Sequence, residues 1–248
     1  SVTSRHQQHR PTVIVISSPH PIGATVTTEP AAPATTSTTP DVLGMQIAHR
    51  VMLRDLDRTT GVAMAMADGG VPITAHRTRT LVRYLELMAE SIHHHHHAED
   101  DILWPVIVER AGAQIDLTPL TEDHEALAPV LERMRGGALA FRAAPSRQSA
   151  AALAARLVEL RGLLSEHIAE EERATFPVIR RYLSVEDWRD VEARIRRNAR
   201  MSFELPRIGA AVTPTELAAL KADAGPAITL MLALFRPAYR RMERAIWG

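Results

Sequence analysis

Apolar residues recur at helical spacing in four stretches of this 248-residue chain, with polar or glycine-rich segments between them. In the first stretch, for example, Met45, Met52 and Leu56 fall on one helical face. The predicted helices cover residues 41–67, 74–110, 118–134 and 146–182. Short loops between such helices favour antiparallel neighbours. We therefore expect an all-α protein whose centre is an up-down four-helix bundle.

Local sequence signals predict where these helices begin, end and bend. Asp41 and Thr118 can cap the first and third helices, and Pro119 suits a first helical position. The glycine pair at 136–137 is predicted to end the third helix. Because Pro105 removes one backbone hydrogen bond inside the second helix, we expect a kink there.

The two ends of the chain differ from its middle. Residues 1–40 are rich in Pro, Thr, Ser and Ala without a helical period, which predicts a disordered tail. Residues 213–216 have a capping-box pattern that opens a last helix, and Pro226 and Pro237 are expected to interrupt it. Packing of this helix against the bundle is favoured over a membrane surface, because its apolar positions need cover. The predicted parts are a tail (1–40), a bundle with a two-metal site (41–183) and an accessory helical segment (184–248).

Composition narrows the chemistry that the chain can perform. Aromatic residues make up 4% and hydrophobic residues 46%, with much Ala and Leu, which favours helices. Lys+Arg 29 balance Asp+Glu 29, so the charge gives no support for nucleic-acid binding. Without cysteine, redox chemistry requires a metal bound by N and O atoms. No apolar stretch approaches the length of about 18 residues that spans a bilayer, so we expect a cytoplasmic protein without stable membrane insertion. A protein partner is not indicated.

A repeated pattern of His and Glu is the strongest chemical signal. His95 and Glu99 precede Pro105 by ten and six residues, and His167 and Glu171 precede Pro177 by the same offsets. His and Glu four residues apart share a helical face. The first and third helices add one His each, and several helices of a bundle can together surround a pair of metal ions. The candidate metal ligands are His49, His95, Glu99, His124, His167 and Glu171.

The run of histidines from 93 to 97 leaves the register open, since His96 with Asp100 and His97 with Asp101 have the same spacing. We favour His95 with Glu99, because the second copy contains a single His. The other histidines of the run are then expected to be exposed or to lie around the ligands. Glu172 is an alternative to Glu171 after a small helix rotation. The remaining acidic neighbours are interpreted as a solvated face: Asp100, Asp101, Glu122, Asp123 and Glu170.

Over residues 41–183 the chain resembles the hemerythrin-like family, specifically its HHE cation-binding domain. The motifs HHHHHAEDDILWP and SEHIAEEERATFP are similar to that family's signatures for the second and fourth helices. The resemblance implies two iron ions with the four candidate histidines as terminal ligands. It also implies that Glu99 and Glu171 bridge the ions together with a solvent-derived oxo or hydroxo group.

The resemblance implies a non-haem diiron protein that binds or reacts with O2, peroxide or nitric oxide, in sensing or detoxification. Oxygen carriers of this family usually have a further His one turn after the third-helix His, where this chain has Ala128. Reversible oxygen carriage is therefore less favoured, and catalase-like peroxide turnover is an enzymatic possibility. The alternative is a regulatory protein in which the metal acts as a switch through residues 184–248. Iron storage is disfavoured, whereas zinc or manganese also suits N and O ligands.

Overall fold

The computed structural model describes residues 38–248, except for the side chains at positions 223, 224 and 226. The tail predicted for residues 1–40 lies outside this range apart from its last three positions. The described part is helical and contains no strand. Its α-helices are α1 (Leu43–Asp68), α2 (Ala75–Ala98), α3 (Trp104–Ala111), α4 (Thr118–Ala143), α5 (Arg147–Tyr182), α6 (Val185–Asn198), α7 (Met201–Gly209), α8 (Pro214–Ala224) and α9 (Pro226–Trp247).

Capping contacts fix both ends of α1 and the start of α5. Asp41 Oδ1 accepts a hydrogen bond from the Leu43 backbone N–H at 2.9 Å at the start of α1. At the other end, Gly69 has φ 83°, a left-handed conformation that glycine adopts without strain. Ser146 opens α5 in a reciprocal capping box with Ser149. The prediction that Thr118 caps α4 is wrong, because Asp116 Oδ1 instead accepts the Thr118 N–H at 3.0 Å.

The predicted end of the third helix at the glycine pair is also wrong, because α4 continues through both residues to Ala143. Each glycine costs about 1 kcal/mol inside a helix. The extra turns bury Ala138 and Phe141, which are 2% and 0% exposed. A fully buried Phe contributes about 1.5–3 kcal/mol, so this packing offsets the low helix propensity of the glycines.

The second predicted helix runs to Ala111 but is interrupted in its last third. A π-helical turn, Glu99–Leu103, separates α2 from α3, and the Trp104 N–H donates to the Glu99 carbonyl. This wider turn occurs where Pro105 has no N–H to contribute. By contrast, α5 passes through Pro177 as a continuous α-helix. The first residue of the π turn is therefore Glu99, one of the candidate ligands.

Four long helices enclose the main hydrophobic core: α1 packs against α5, α5 against α4, α4 against α2, and α2 against α1. Leu56, Leu85, Met134 and Leu157 are among its fully buried side chains. A second apolar cluster, formed largely by α3, the end of α5 and α6, includes Ile107, Phe176 and Trp188. The candidate ligands occupy the part of the bundle between these two clusters.

Among the C-terminal helices, α7 packs on α1 and α9 packs on α2, as we expected for the last helix. Phe203, Tyr239 and Ile246 belong to the main core. The last predicted helix is interrupted at Gly225, directly before Pro226, as predicted. The predicted interruption at Pro237 is wrong, since α9 is continuous. Buried residues after Pro237 hold that half of the helix in place. Every helix in residues 38–248 is too short or too polar to cross a membrane.

A buried ion pair joins α7 to α1. Nε of Arg207 donates to Oδ2 of Asp55 at 2.5 Å, and both side chains are at most 2% exposed. The Tyr84 hydroxyl donates to the same carboxylate oxygen at 2.6 Å. Because a buried charge is costly unless it is paired, this contact fixes α7 against the bundle.

Candidate metal centre

The structure brings all six candidate ligands together. They come from α1, α2, the π turn, α4 and α5, and all but His95 are buried. The His95 side chain is 17% exposed. In each copy of the repeat, one helical turn separates the His from the Glu, so both point to the same interior space.

The four candidate histidines form two pairs. Nε2 of His49 lies 2.9 Å from Nε2 of His95, and Nε2 of His124 lies 3.1 Å from Nε2 of His167. Nitrogen ligands bind a transition metal at about 2.1 Å, so two of them at a right angle lie about 3.0 Å apart. The spacing within each pair therefore suits one cation bound by both imidazoles.

Each glutamate reaches one histidine from each pair. Glu99 Oε1 lies 2.9 Å from His95 Nε2, and its Oε2 lies 3.6 Å from His124 Nε2. Glu171 Oε2 lies 3.5 Å from His49 Nε2 and 3.6 Å from His167 Nε2. Both carboxylates are thus positioned between the two pairs, as ligands shared by two cations would be.

Outer carboxylates orient three of the imidazoles. Nδ1 of His49 lies 2.8 Å from Glu172 Oε1, and Nδ1 of His124 lies 2.9 Å from Asp100 Oδ1. Asp123 Oδ2 lies 3.4 Å from Nδ1 of His167. A carboxylate accepts the Nδ1–H, which leaves the Nε2 lone pair available to a cation.

Sequence reasoning missed this orienting role, because it interpreted Asp100 and Asp123 as part of a solvated face and Glu172 as an alternative to Glu171. The repeat could have predicted this role, because in both copies an acidic residue directly follows the glutamate. Asp100 and Glu172 occupy equivalent positions, and each contacts a His on a different helix. Glu172 therefore orients His49, whereas Glu171 faces the interior and is fully buried.

Neither glutamate is satisfied by the protein alone. Within residues 38–248, no carboxylate oxygen of Glu99 or Glu171 accepts a hydrogen bond. Burial raises the pKa of both carboxyls well above the usual 4.5. It also lowers the pKa of His95 to about 3 and that of His167 to about 4, because desolvation disfavours the charged imidazolium. A cation bound to neutral imidazoles and ionised carboxylates would compensate for this burial, so the residues present fit a metal.

His96 lies around the ligands, which is one of the two outcomes expected for the other histidines of the run. Its side chain is 8% exposed, and its ring stacks on His124 with centroids 4.3 Å apart. A nitrogen of His96 lies within 4.8 Å of one on His124 and one on His167. The apolar stripe of the second helix could have predicted that His96 is buried, since His96 follows the buried Ile92 by four residues.

Two histidines of the run, His93 and His97, lie outside this group. His93 and His97 are exposed and contact each other, with their Nε2 atoms 3.2 Å apart. His97 also lies 4.0 Å from Asp101, a carboxylate that is itself mostly exposed. The alternative register of His97 with Asp101 is therefore a surface contact.

An apolar cavity of about 260 Å³ reaches one side of the site. His95 and Glu99 form part of its wall, and Ala48 of α1 and Ile208 of α7 line it as well. The cavity lies between the bundle and the C-terminal helices. A small uncharged molecule in this cavity would be next to the His49–His95 pair.

A buried group of imidazoles and carboxylates inside a helical bundle defines a class of protein, the helical cation-binding proteins. A family model described as the Hemerythrin HHE cation binding domain matches residues 45–179, which is more than half of the chain. The chain belongs to this family. Comparisons with curated proteins and with solved structures give no match.

Proposed function

We propose that this protein holds two iron ions in an up-down four-helix bundle made of α1, α2, α4 and α5, and that the ions bind or react with O2, peroxide or nitric oxide. His49 and His95 would hold one ion, and His124 and His167 the other. Glu99 and Glu171 would bridge them. Residues 184–248 would form an accessory helical segment on this bundle.

The position of the two glutamates is the observation that supports this proposal best. A site for one cation needs its ligands around one centre, whereas Glu99 and Glu171 each lie between a histidine of the first pair and one of the second. Carboxylates shared in this way hold two cations close together in the cores of helical bundles.

The protein would supply a dry, fixed environment for these ions. Phe176 is stacked parallel to the His49 ring and Trp104 parallel to the His124 ring, with centroids 6.4 Å and 6.2 Å apart. These apolar rings exclude water from the outer sides of the ligands. When bound, iron would supply the change of oxidation state that chemistry with O2, peroxide or nitric oxide requires.

The experiment is a comparison of the iron-loaded protein with His167→Ala. We expect the wild type to bind nitric oxide and to release O2 from hydrogen peroxide, and the variant to lose both properties together with part of its iron. His76→Ala is the matched control, because His76 is exposed near the start of α2. Equal behaviour of wild type and His167→Ala would contradict the proposal.

One observation favours a second candidate, a metal-dependent switch. The cavity wall that contains His95 and Glu99 also contains Glu204 and Arg207 of α7, so the C-terminal helices contact the surroundings of the site directly. Metal removal would then loosen residues 184–248. Limited proteolysis of the metal-free protein tests this, and an unchanged cleavage rate in that segment would exclude the switch.

A further inference from the structure

We infer that His96 is a fifth imidazole ligand, and that it binds the ion held by His124 and His167, so that the two ions have unequal ligand sets. This inference rests on the proposed two-metal function. It adds a ligand from the second helix that the repeat of His and Glu does not contain.

Within residues 38–248, the His96 side chain is buried with an unpaired ring nitrogen. Its Nε2 atom is buried and, within the part of the chain that the structure describes, has no hydrogen-bond partner. The ring is nearly parallel to that of His124, at 9°, and meets the His167 ring edge-on at 5.2 Å. A buried imidazole nitrogen without a partner is costly. A cation shared with His124 and His167 would satisfy it.

His96 also breaks the internal symmetry of the repeat. His95, Glu99 and Asp100 correspond to His167, Glu171 and Glu172 in the second copy. The position equivalent to His96 is Ile168, which is buried and lies on the side of His49. The two half-sites are therefore alike in their other ligands but differ here by an imidazole against an aliphatic side chain.

Space around His96 allows the ring to adjust to a cation. His96 and His124 line a cavity of about 180 Å³ together with Ala128, the small residue one turn after His124. This empty volume leaves room for small rotations of the His96 side chain. The ligand set of this half-site would be three imidazoles and the two shared carboxylates.

The unequal sets assign different roles to the two ions. The ion at His124, His167 and His96 would have the fuller set of protein ligands. The ion at His49 and His95 would keep the open position, and its ligands His95 and Glu99 border the 260 Å³ cavity. A small diatomic molecule or peroxide would therefore bind first at the His49–His95 ion.

The test is an anaerobic titration with cobalt(II), whose visible spectrum reports the number and type of ligands. We expect the wild type to take up two ions, and His96→Ile, which makes the two copies alike, to bind one of them at least about tenfold more weakly. His97→Gln is the matched control, because His97 is the exposed neighbour, and it should bind as the wild type does. Two unchanged binding steps in His96→Ile would overturn the inference.

A second measurement tests whether His96 is a ligand in the wild type, without a variant that could fold poorly. X-ray absorption of the wild type loaded with two cobalt ions should show five imidazoles shared between them, and four would overturn the inference. A wild type that binds fewer than two ions would contradict the proposed function itself.

Discussion

Glu172 Oε1 lies 2.8 Å from Nδ1 of His49, so a carboxylate on α5 orients an imidazole on α1. Asp100 and His124 repeat this relationship between the π turn and α4 at 2.9 Å. In both cases the acidic residue directly follows a glutamate that points into the site. The duplicated sequence therefore positions a ligand and an orienting group with two consecutive residues.

Removal of the orienting carboxylate should weaken metal binding without removing a ligand. We expect Glu172→Ala to lower the affinity for ferrous iron or cobalt(II) by about tenfold, because the His49 ring loses the acceptor that fixes its orientation. Calorimetric titration measures this directly. Glu170→Ala is the matched control, since Glu170 is exposed and pairs with Arg173. Equal affinities of the two variants would refute an orienting role for Glu172.

Metal binding should release protons and should strengthen as the pH rises. In the metal-free protein, burial holds the pKa of Glu99 and Glu171 well above 4.5. At a pH between 4.5 and these raised values the carboxyls retain protons that a cation must displace. Titration in weak buffer at several pH values from 5 upward measures the protons released. A Glu99→Gln, Glu171→Gln double variant should release few, and a wild type that releases none would contradict the geometry.

The same groups predict how the stability of the metal-free protein depends on pH. Raised carboxyl pKa values stabilise the fold below pH 4.5, and this contribution is lost as the pH rises above 4.5. Lowered pKa values of His95 and His167 act in the opposite direction, because their contribution is full above 6.5 and is lost as the pH falls toward 3–4. Urea unfolding between pH 5 and 8 with and without metal should show that metal stabilises more at the higher pH.

The buried Asp55–Arg207 pair should be important for the attachment of α7. We expect Arg207→Met to cost about 3–5 kcal/mol of unfolding free energy, because it leaves the Asp55 carboxylate buried without its cation. Arg200→Met is the comparison, since Arg200 pairs with Glu90 at the surface and such pairs contribute about 0–1 kcal/mol. Chemical denaturation provides both values. Similar losses in the two variants would show that the buried pair has no special role.

The apolar cavity should control access to the site. Ala199 lines it, so Ala199→Phe is expected to slow the binding of nitric oxide to the iron-loaded protein while iron content stays the same. Ala210→Phe is the control, because Ala210 is exposed and does not line the cavity. Stopped-flow absorption measures the association rates. An unchanged rate in Ala199→Phe would mean that small molecules enter by another route.

The hydrophobic period predicted the long helices because one buried stripe is enough to specify each of them. Local signals failed where tertiary packing outweighs them. Gly136 and Gly137 do not end α4, since Phe141 beyond them is buried, and Pro237 does not interrupt α9, since Tyr239 and Ile246 are buried after it. The burial of such apolar side chains outweighs a helix propensity cost of about 1 kcal/mol per residue.

The site was predictable to the extent that the repeat encodes it. His95, Glu99, His167 and Glu171 follow from the equal offsets in the two copies, and in the structure each His lies within 3.6 Å of its Glu. His96 did not follow, because the repeat has no counterpart for it and adjacent helical positions differ by about 100°. Whether His95, His96 or both face the interior depends on the rotation of α2 against α4 and α5. That rotation is set by packing between helices that are distant in sequence.

The most direct test of the two-metal site is the iron content of the folded chain after anaerobic loading with ferrous iron, read by Mössbauer spectroscopy. The positions of Glu99 and Glu171 predict two iron ions per chain that become magnetically coupled on oxidation. One ion per chain, or two ions without coupling, would contradict a site in which both carboxylates are shared.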